Sequence, residues 1–270
     1  MSRAQATATV NHAETSGGYD PSFFNELAAI EDRHFWFRGR NALIRQLIGK
    51  ICQRQRPGYF VLEIGCGTGN VLRTLRQTCR GGTVIGMELW FDGLRYARQR
   101  TDAMLVQGDV RRLPFRTQFD VVGMFDVLEH IPEEHETLVA VRDALAPGGK
   151  FILTLPAHQF LWSYFDEASR HCRRYSESEI KKKLNEAGFR VEFLSQFMAC
   201  IFPLMWMQRK IFRGHQKKAG DARTLAGKEF RIVPLVNNLL RWLLNLEAGW
   251  LARGHTLSLG TSLVVVASKV

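Results

Sequence analysis

A ten-residue segment, residues 60–69, constrains the fold more than any other part of the chain: it reads Phe-Val-Leu-Glu-Ile-Gly-Cys-Gly-Thr-Gly. Its first half is apolar except for one acid, which is typical of a buried parallel strand. Gly65, Gly67 and Gly69 then permit a tight turn whose backbone N–H groups can approach a ligand closely. The segment therefore predicts a strand, a glycine turn and a ligand site.

The residues on either side of the turn indicate which ligand it favours. Residues 70–78 have helical spacing, and a helix that begins after such a turn presents its N-terminus to an anionic group such as a carboxylate or phosphate. Glu63 would repel phosphate and attract an ammonium group. A plain structural turn and a nicotinamide site are the alternatives, because glycine turns also close ordinary βα units.

Each of the next three candidate strands ends at an acid, and these acids are Glu88, Asp109 and Asp126. Glu88 follows the glycines by about 20 residues, where an acid can accept hydrogen bonds from both ribose hydroxyls of a nucleoside. A helix cap or a solvated loop would explain any one of these acids. Their order and spacing together favour a nucleoside-binding site.

This set of motifs resembles the class I S-adenosylmethionine-dependent methyltransferases, whose first motif is hydrophobic-hydrophobic-Glu/Asp-hydrophobic-Gly-x-Gly-x-Gly. The resemblance implies S-adenosyl-L-methionine as cofactor, with the glycine turn at its methionine end, Glu88 at the ribose and Asp109 at the adenine. We interpret Cys66 as a small packing residue of the turn and not as a nucleophile. The implied cofactor-binding residues are Glu63, Gly65, Cys66, Gly67, Gly69, Glu88, Asp109, Val110 and Asp126.

The alternation of candidate strands and helices through Gly188 predicts a parallel sheet with right-handed crossovers. The resemblance implies an α/β fold with a Rossmann-like, seven-stranded methyltransferase sheet, in which the last strand is antiparallel and lies at the sheet edge. Residues 145–150 are predicted to form a turn, and Ser176 to cap a helix over residues 177–187. The predicted strands are residues 60–64, 83–87, 103–107, 119–125, 151–155, 190–194 and 262–267.

The length of 270 residues and the 46% hydrophobic content fit one catalytic domain with additions. Residues 1–18 lack periodicity and carry little charge, so we expect disorder there. Residues 19–58 are predicted to form an N-terminal helical cap. The cofactor-binding core comprises residues 59–195 and 259–270, and an amphipathic helical insertion occupies residues 196–258 before the last strand.

Cysteine usage and the N-terminal sequence bear on localisation. The five cysteines form no C-x-x-C or zinc-ligand spacing, and their odd number argues against a disulfide framework. The N-terminal segment has no apolar stretch typical of a secretory signal. We therefore expect a reduced, cytoplasmic protein that associates peripherally with the inner face of a membrane.

The insertion carries two apolar segments with neighbouring cations. Residues 197–207 are interrupted by Pro203 and are far shorter than the ~20 residues of a spanning helix. Residues 232–251 are rich in Leu and Trp. This combination predicts interfacial helices on an anionic membrane surface, whereas a helical pair packed on the domain or a dimer interface is the alternative. The neighbouring cations are Arg209, Lys210, Arg213, Lys217, Lys218, Arg231, Arg241 and Arg253.

The net charge of +11 is compatible with membrane, acidic or nucleic-acid partners. Methyltransferases of this fold include RNA-modifying enzymes, so a nucleic acid is the second candidate acceptor. Residues 125–128 read Phe-Asp-Val-Leu in place of the Asn/Asp-Pro-Pro-Tyr motif of base-amine methylation, and no base-stacking module is evident. A nucleic-acid partner is therefore disfavoured, and the oligomeric state stays open.

Three clusters are candidates for the acceptor side. The first is an aromatic segment, residues 34–40, which contains Trp36, Arg38 and Arg40. It either docks the helical cap on the sheet or covers the cofactor, with an arginine reaching an acidic group of the ligand or acceptor.

The second cluster is Asp126-x-x-Glu129-His130, which resembles the Glu-x-x-Glu-His segment of ubiquinone-biosynthesis O-methyltransferases. In that family the segment binds a divalent cation near the acceptor, which implies magnesium or zinc at Asp126, Glu129 and His130. Asp126 is one methylene shorter than the glutamate of the family, and a salt-bridged turn is the alternative. His130 is also a candidate base, because an imidazole has a suitable pKa.

The third cluster follows the fifth predicted strand and is unusually rich in His, Arg, Trp and Tyr for a loop. Asp166 is expected to orient His171, and the arginines to bind a phosphate or carboxylate bidentately. A network that braces the loop is the alternative. The acceptor-binding candidates here are Trp162, Arg173, Arg174 and Tyr175.

The sequence thus predicts methyl transfer to a small or lipid-linked acceptor, at oxygen, beside a membrane. A quinone precursor, a polyprenyl-linked glycan and a secondary metabolite are all compatible acceptors. His130, His171 and Asp166 are the candidate catalytic residues. The alternatives are an RNA or other nucleic-acid methyltransferase and a catalytically silent, cofactor-binding membrane adaptor.

Overall fold

The computed structural model describes residues 23–212 and 232–270, which form a single sheet flanked by helices. The strands are β1 Phe60–Ile64, β2 Thr83–Glu88, β3 Met104–Gln107, β4 Phe119–Phe125, β5 Leu145–Pro156, β6 Phe189–Phe197 and β7 Ser262–Lys269. The helices are α1 Phe24–Ile30, α2 Phe35–Cys52, α3 Asn70–Thr78, α4 Phe91–Arg100, α5 Glu134–Ala144, α6 Tyr164–Ala168, α7 Glu177–Glu186, α8 Phe202–Phe212 and α9 Pro234–Ala252.

The sheet has seven strands in the order β3-β2-β1-β4-β5-β7-β6. The β1–β2, β1–β4, β2–β3 and β4–β5 pairs are parallel, whereas β7 is antiparallel to both β5 and β6. This arrangement confirms the predicted fold class. The expected position of the last strand at the sheet edge is wrong, because β7 pairs on both sides and leaves β6 as the edge strand.

Most predicted elements lie within a few residues of the observed ones, and the differences have local causes. The predicted turn at residues 145–150 belongs to β5, because Leu145 already pairs with Phe119 before the register shifts and resumes at Lys150. Gly148, with a φ of 72°, makes the bend inside this irregular stretch. β6 continues to Phe197, which pairs with Ser262. The helical insertion therefore begins later than predicted.

The core has two apolar layers, one on each face of the sheet. One layer joins the sheet to α2, α3 and α9, and the other joins it to α5 and α7. Leu240, Leu244 and Leu251 of α9 are all buried in the first layer. One side of the inserted helix is thus part of the domain core, which satisfies the packing alternative for that side.

Polar contacts fix α9 at two points. The Asn237 side chain accepts a hydrogen bond from the Phe35 backbone N–H at 2.8 Å and donates one to the Arg33 carbonyl at 3.1 Å. The Glu247 carboxylate accepts hydrogen bonds from the backbone N–H groups of Met198 and Ala199. These contacts satisfy backbone groups at the start of α2 and after β6, so they hold α9 in register against the cap.

Several sequence predictions lie outside the described residues. These are the disorder at residues 1–18 and the cationic side chains of Arg213, Lys217, Lys218 and Arg231. No helix among residues 23–212 and 232–270 has the length and hydrophobicity needed to cross a membrane.

The close packing of α2 on α9 at Gly39 gives a test of this architecture. A Cβ atom at Gly39 would lie 2.6 Å from Leu244 Cδ1 and 2.9 Å from its Cβ. We expect Gly39→Ala to lower the free energy of unfolding by about 1–3 kcal/mol, because overpacking forces the helices apart. Urea denaturation would measure the change.

Gly49 provides a matched control in the same helix, because a Cβ there would lie 3.6 Å from Thr78 Cγ2, an ordinary contact. Gly49→Ala should be neutral or stabilising by up to about 1 kcal/mol through helix propensity. Equal stabilities of the two variants would contradict the tight α2–α9 contact.

Candidate functional site

A cavity of about 530 Å³ lies at the carboxyl ends of the parallel strands. The glycine turn after β1 forms its floor, and α1, the start of α2 and part of α8 contribute to its walls. This position is where open parallel sheets bind ligands, because loops from neighbouring strands converge there. The lining includes Phe24, Trp36, Arg40, Glu63, Gly65, Cys66, Gly67, Glu88, Asp109, Val110, Asp126, Glu129, His130, His171, Arg174, Met205 and Arg209.

The glycine turn is held by β2. The backbone N–H groups of Gly65 and Cys66 both donate to the Met87 carbonyl, at 2.8 and 3.0 Å. Glu88 accepts hydrogen bonds from the backbone N–H groups of Gly67 at 2.9 Å and Trp90 at 3.0 Å. The carboxylate that we expected to contact a ribose thus also shapes the turn.

Gly69 has a different role from the first two glycines. It does not line the cavity, and a Cβ at this position would lie 2.7 Å from Ala97 Cα. Its φ of 80° also disfavours other residues. The small size of Gly69 therefore serves the close approach of α4 to the turn, and its predicted role in cofactor binding stays a prediction.

Cys66 is buried in the turn and lines the cavity. Burial raises the pKa of its thiol well above the usual value, and the carboxyl groups of Glu63 and Glu88 raise it further. A thiol that stays protonated is a poor nucleophile. The packing interpretation of this residue agrees with its environment.

A group of opposite charges faces the cavity beside the turn. Arg40 of α2 donates a hydrogen bond from NH1 to Asp126 Oδ2 at 2.7 Å, and its guanidinium lies over the Trp36 ring at 4.9 Å. Among the described residues, Arg40 Nε and Glu63 Oε2 are buried atoms without a hydrogen-bond partner. Burial raises the pKa of Glu63 well above the usual value, whereas the charge of Arg40 opposes that shift.

The Asp109 side chain lies at the other end of the cavity, where Arg111 holds it. Arg111 donates its backbone N–H at 2.9 Å and a guanidinium N–H at 2.6 Å to the two carboxylate oxygens. Burial acts to raise the pKa of Asp109, but these hydrogen bonds outweigh it and lower the pKa. Val110 follows at the cavity wall.

The structure separates the predicted acceptor residues into two sets. Trp36, Arg40 and Arg174 line the cavity, whereas the others do not. Arg38 points outward from α2 and is exposed. The helical period places Arg38 away from the wall that Trp36 and Arg40 form, so its predicted contact with the acceptor gains no support from this cavity. The other residues outside the cavity lining are Trp162, Arg173 and Tyr175.

Tyr175 and Arg173 surround Glu134 instead. The Tyr175 hydroxyl donates to Glu134 Oε1 at 2.8 Å, and Lys183 Nζ lies 2.7 Å from Oε2 of the same carboxylate. Arg173 also forms an ion pair with Glu134. This network braces the loop before α7 against α5, so the bracing alternative holds for these two residues.

Asp166 is fully buried at the centre of a polar network. Arg174 contacts it bidentately, with Nε 2.7 Å from Oδ1 and NH2 3.0 Å from Oδ2. His171 Nδ1 lies 2.9 Å from Oδ1, and the Ser163 backbone N–H donates to Oδ2 at 2.9 Å. Burial opposes ionisation, but the contacts with His171 and Arg174 prevail and lower the pKa of Asp166 to about 2. Asp166 therefore orients His171 as predicted, while Arg174 holds this carboxylate.

His130 packs edge-on against His171, with ring centroids 4.7 Å apart. Burial and the neighbouring His171 lower the pKa of His130 to about 3. Backbone carbonyls of Ser169 and Arg170 accept hydrogen bonds from the ring. His130 is thus a neutral imidazole across the physiological pH range, and a weak base.

The predicted cation ligands are not the ones that the fold brings together. Among the described residues, Glu129, His130 and His171 place ligand atoms within 4.8 Å of one another. Asp126 lies outside this group, because it adopts a φ of 56° at the end of β4 and pairs with Arg40. The fold therefore brings His171, and not Asp126, next to Glu129 and His130.

Sequence reasoning missed several residues that line the cavity. Arg209 of α8 is buried, lines the cavity and lies 5.3 Å from the Tyr164 ring centroid, although its sequence context predicted a headgroup contact. The apolar residues of α1, Phe24 and Leu27, also line it. The signal for Arg209 was its four-residue spacing from Met205, which also faces the cavity.

Comparison with known proteins identifies the class. A family described as methyltransferase domain matches residues 35–193, which is more than half of the chain. The chain belongs to this family, and its fold is the one predicted for class I S-adenosylmethionine-dependent methyltransferases. S-Adenosylmethionine is its cofactor.

Individual relatives differ in the acceptor that their names state. A probable S-adenosylmethionine-dependent methyltransferase of Mycolicibacterium smegmatis is 27% identical over 62% of this chain and 63% of its own length. A fatty-acid O-methyltransferase of the same organism is 37% identical over 38% of this chain and 39% of its own. A probable tRNA methyltransferase 9B of Bos taurus is 24% identical over 52% and 31%. The chain thus spans less than two thirds of these relatives.

Solved structures share the fold. A Haloferax volcanii methyltransferase in complex with the Trm112 activator has a TM-score of 0.59 at 23% identity, and the match covers 92% of this chain and 96% of that chain. A Haemonchus contortus phosphoethanolamine N-methyltransferase 2, solved with S-adenosyl-L-methionine, has a TM-score of 0.55 at 20% identity over 85% and 52%. At these identities the likeness concerns the fold alone.

The buried pair of Asp166 and Arg174 gives a test of the network beside the cavity. Removing the guanidinium leaves a fully buried carboxylate without its bidentate partner. We expect Arg174→Met to lower the free energy of unfolding by about 3–5 kcal/mol. Arg173→Met is the neighbouring control, with an expected loss of about 1 kcal/mol or less, since Glu134 keeps Lys183 and Tyr175 as partners. Similar losses for both variants in guanidinium denaturation would contradict the assignment.

Proposed function

We propose that this methyltransferase acts on an oxygen of a small or lipid-linked acceptor, such as a quinone precursor, a polyprenyl lipid or a lipid-linked glycan, at a membrane surface. The observation that carries the proposal is an exposed apolar stripe on α9, next to a cavity partly walled by α8. S-Adenosylmethionine, when bound, supplies an activated methyl group on a sulfonium. The protein then has to align donor and acceptor and assist loss of the acceptor proton.

We infer that Glu63 and Arg40 bind the amino-acid end of the cofactor. This end carries an ammonium and a carboxylate. Glu63 Oε2 is a buried acceptor and Arg40 Nε a buried donor, and both residues line the cavity beside the glycine turn. A buried polar atom without a partner is costly, so a zwitterion that satisfies both atoms gains affinity. Arg40 is thus proposed for the cofactor, in place of the acceptor role predicted from sequence.

A pair of ligands separates this assignment from a general effect on the site. Arg40→Met and Glu63→Gln should weaken S-adenosylmethionine binding by about 1.5–3 kcal/mol, as for hydrogen bonds to charged groups. Both variants should bind 5′-methylthioadenosine like the wild type, since this compound lacks the ammonium and carboxylate. Glu88→Ala should weaken both ligands, because we propose that Glu88 contacts the ribose. Calorimetry measures the binding free energy of each variant for each ligand relative to the wild type. Equal losses of affinity for the two ligands in Arg40→Met would contradict the proposed contact with the zwitterion.

The stripe on α9 consists of residues that recur every three or four positions and are between 48% and 85% exposed. The opposite side of the helix is buried in the core, so the exposed side is a second apolar face. Contiguous apolar surface of this kind marks an interaction site. The α9 stripe comprises Leu235, Leu239, Trp242, Leu246 and Trp250.

Cations border the α9 stripe. Partial burial and the charge of Arg241 lower the pKa of Arg38. The guanidinium groups of Arg38 and Arg241 are therefore near each other. Lys210 Nζ lies 4.0 Å from the Trp206 ring centroid on α8, where Trp206 and Met207 are also exposed. Anionic headgroups would offset this positive charge while apolar side chains enter the acyl boundary. The combination of exposed apolar side chains and cations favours a membrane partner over an apolar protein partner.

The route from this surface to the cavity runs along α8. Leu204 is 55% exposed and also lines the cavity, whereas Met205 and Arg209 line its interior. Leu204 is therefore at the rim. We propose that an acceptor with an apolar tail enters beside Leu204 from the membrane.

Vesicle flotation tests the membrane proposal. We expect the protein to float with anionic vesicles at low salt and to float less with zwitterionic vesicles or at high ionic strength, because salt screens headgroup attraction. Replacing Leu239, Trp242 and Leu246 together by Ser should abolish flotation without changing cofactor affinity. Wild-type protein that stays wholly in the soluble fraction at low salt would disprove membrane binding.

A charge-matched pair tests the cationic contribution to this binding. Arg241→Ser should weaken binding to anionic vesicles by about 1 kcal/mol. Lys182→Ser on α7 removes the same charge from an exposed side chain and should have little effect. Equal effects would indicate attraction by net charge alone.

For proton removal we propose the imidazoles at the acceptor end of the cavity. His171 lines the cavity and Asp166 fixes its Nδ1, so Nε2 is the atom available to an acceptor. Because burial lowers the pKa of His130 to about 3, direct proton transfer is assigned to His171.

A nucleic-acid acceptor is the second candidate function, and the observation that favours it is the likeness to relatives named as probable tRNA methyltransferases. The net charge of +11 is compatible with it. Methyl transfer from radiolabelled cofactor to total RNA, compared with transfer to a lipid extract, separates the two acceptor classes.

A further inference from the structure

We propose that Glu129, His130 and His171 form a binding site for a divalent transition-metal cation. These side chains place one carboxylate oxygen and two imidazole nitrogens within 4.8 Å of one another, and all three residues line the cavity. Ligand atoms bonded to a tetrahedral zinc ion at about 2.0–2.1 Å lie roughly 3.3 Å apart, so a bound cation would draw these three atoms closer together. The site joins the turn after β4, which carries Glu129 and His130, to the loop after α6, which carries His171.

An independent observation points to a ligand here. Glu129 is 1% exposed, and its Oε2 has no hydrogen-bond partner among the described residues. A buried carboxylate oxygen in this state carries a large desolvation cost, which a bound cation would remove. The main chain of Glu129 is fixed by the Cys172 N–H, which donates to its carbonyl at 2.7 Å. Glu129 is therefore held next to the loop that supplies His171.

The surroundings orient both imidazoles as outer-shell groups do in metal sites. His171 Nδ1 contacts Asp166 Oδ1 at 2.9 Å, which directs Nε2 away from this carboxylate. Arg174 and the Ser163 N–H hold Asp166 in turn. The His130 ring donates to the backbone carbonyls of Ser169 and Arg170, in the loop after α6. A carboxylate or carbonyl behind each ligating imidazole is the usual support of a metal-bound histidine.

The ligand set selects the class of cation. Two imidazoles and one carboxylate suit zinc and its first-row neighbours, whereas magnesium prefers oxygen ligands and bound water. Three protein ligands leave at least one coordination position open towards the cavity. The role of this open position rests on the proposed function. A cation lowers the pKa of an acceptor hydroxyl that it binds. Direct proton transfer from the acceptor to His171 would then not be needed.

Metal titration tests the site without any acceptor, so its outcome is independent of whether the methyl acceptor has been identified. Full-length protein freed of metal by a chelator is titrated with Co²⁺, followed by visible absorption, and Zn²⁺ affinity is measured by competition. We expect one equivalent to bind. Glu129→Gln and His171→Asn should each weaken Zn²⁺ binding at least tenfold, and Asp166→Asn tenfold to a hundredfold through the orientation of His171.

Two control variants make the assignment specific. Asp126→Asn should keep wild-type Zn²⁺ affinity, which distinguishes this ligand set from one that includes Asp126. His135→Asn removes an exposed imidazole of α5 and should also have no effect. Binding that is lost in Asp126→Asn or His135→Asn but kept in Glu129→Gln and His171→Asn would overturn the proposal.

Replacing one metal ligand by another tests coordination directly, because a variant that has misfolded would not show the spectrum of the new ligand. In His171→Cys the new thiolate should give the Co²⁺ complex a near-ultraviolet charge-transfer band that the wild type lacks. The appearance of this band supports direct coordination at position 171. A wild-type protein that binds neither Co²⁺ nor Zn²⁺ stoichiometrically, or a variant that binds Co²⁺ without the band, would overturn it.

Discussion

The cost of burying charge beside the glycine turn is the constraint on which the rest of the site depends. Glu63, Glu88 and Arg40 are all nearly inaccessible to solvent, yet they converge on one cavity. Part of this cost is offset within the fold, because Glu88 accepts hydrogen bonds from two backbone N–H groups and Arg40 pairs with Asp126. The remaining unsatisfied atoms, Glu63 Oε2 and Arg40 Nε, are where a charged ligand gains the most.

This constraint also explains why the helical cap and the inserted helix belong to one unit. Arg40 lies on α2, and α2 is held by α9 through Gly39, Leu244 and the amide of Asn237. Shifting α9 would move the guanidinium relative to Asp126 and Glu63. Part of the insertion therefore supports the end of the cavity beside the glycine turn, while its outer side carries the α9 stripe.

The sequence predicted the sheet well because its signals are local. Apolar runs bounded by glycines and acids placed β1, β2, β4 and α3 within a residue or two, since buried strands and glycine turns need particular residues at particular positions. The position of β7 was not predictable in this way. Whether an antiparallel strand inserts between two others or adds at an edge depends on long-range pairing, which its own residues do not encode.

Within the site, sequence order identified which loops meet but not which side chains pair. Asp166 and His171 are five positions apart in the same predicted loop, so their contact could be predicted from the sequence. Arg174, three positions further, was predicted to bind the acceptor, but its guanidinium contacts the Asp166 carboxylate. The resemblance to a Glu-x-x-Glu-His segment suggested Asp126 as a third cation ligand, but a left-handed backbone at that residue directs it to Arg40. Such outcomes depend on rotamers and on partners from distant helices.

The two sides of α9 show how one helix can serve both stability and access. Its buried leucines recur on the side that faces α2, and the exposed α9 stripe recurs on the other side at the same three- to four-residue spacing. A helix that is apolar on both sides is expected when a second apolar phase covers the outer one. Because Leu204 links the surface of α8 with the cavity wall, that outer phase would also be continuous with the space beside His171. An amphiphilic acceptor of the kind that we propose would keep its apolar part in the membrane while its hydroxyl reaches the cofactor. The proposed entry route and the proposed proton acceptor would then be parts of one site.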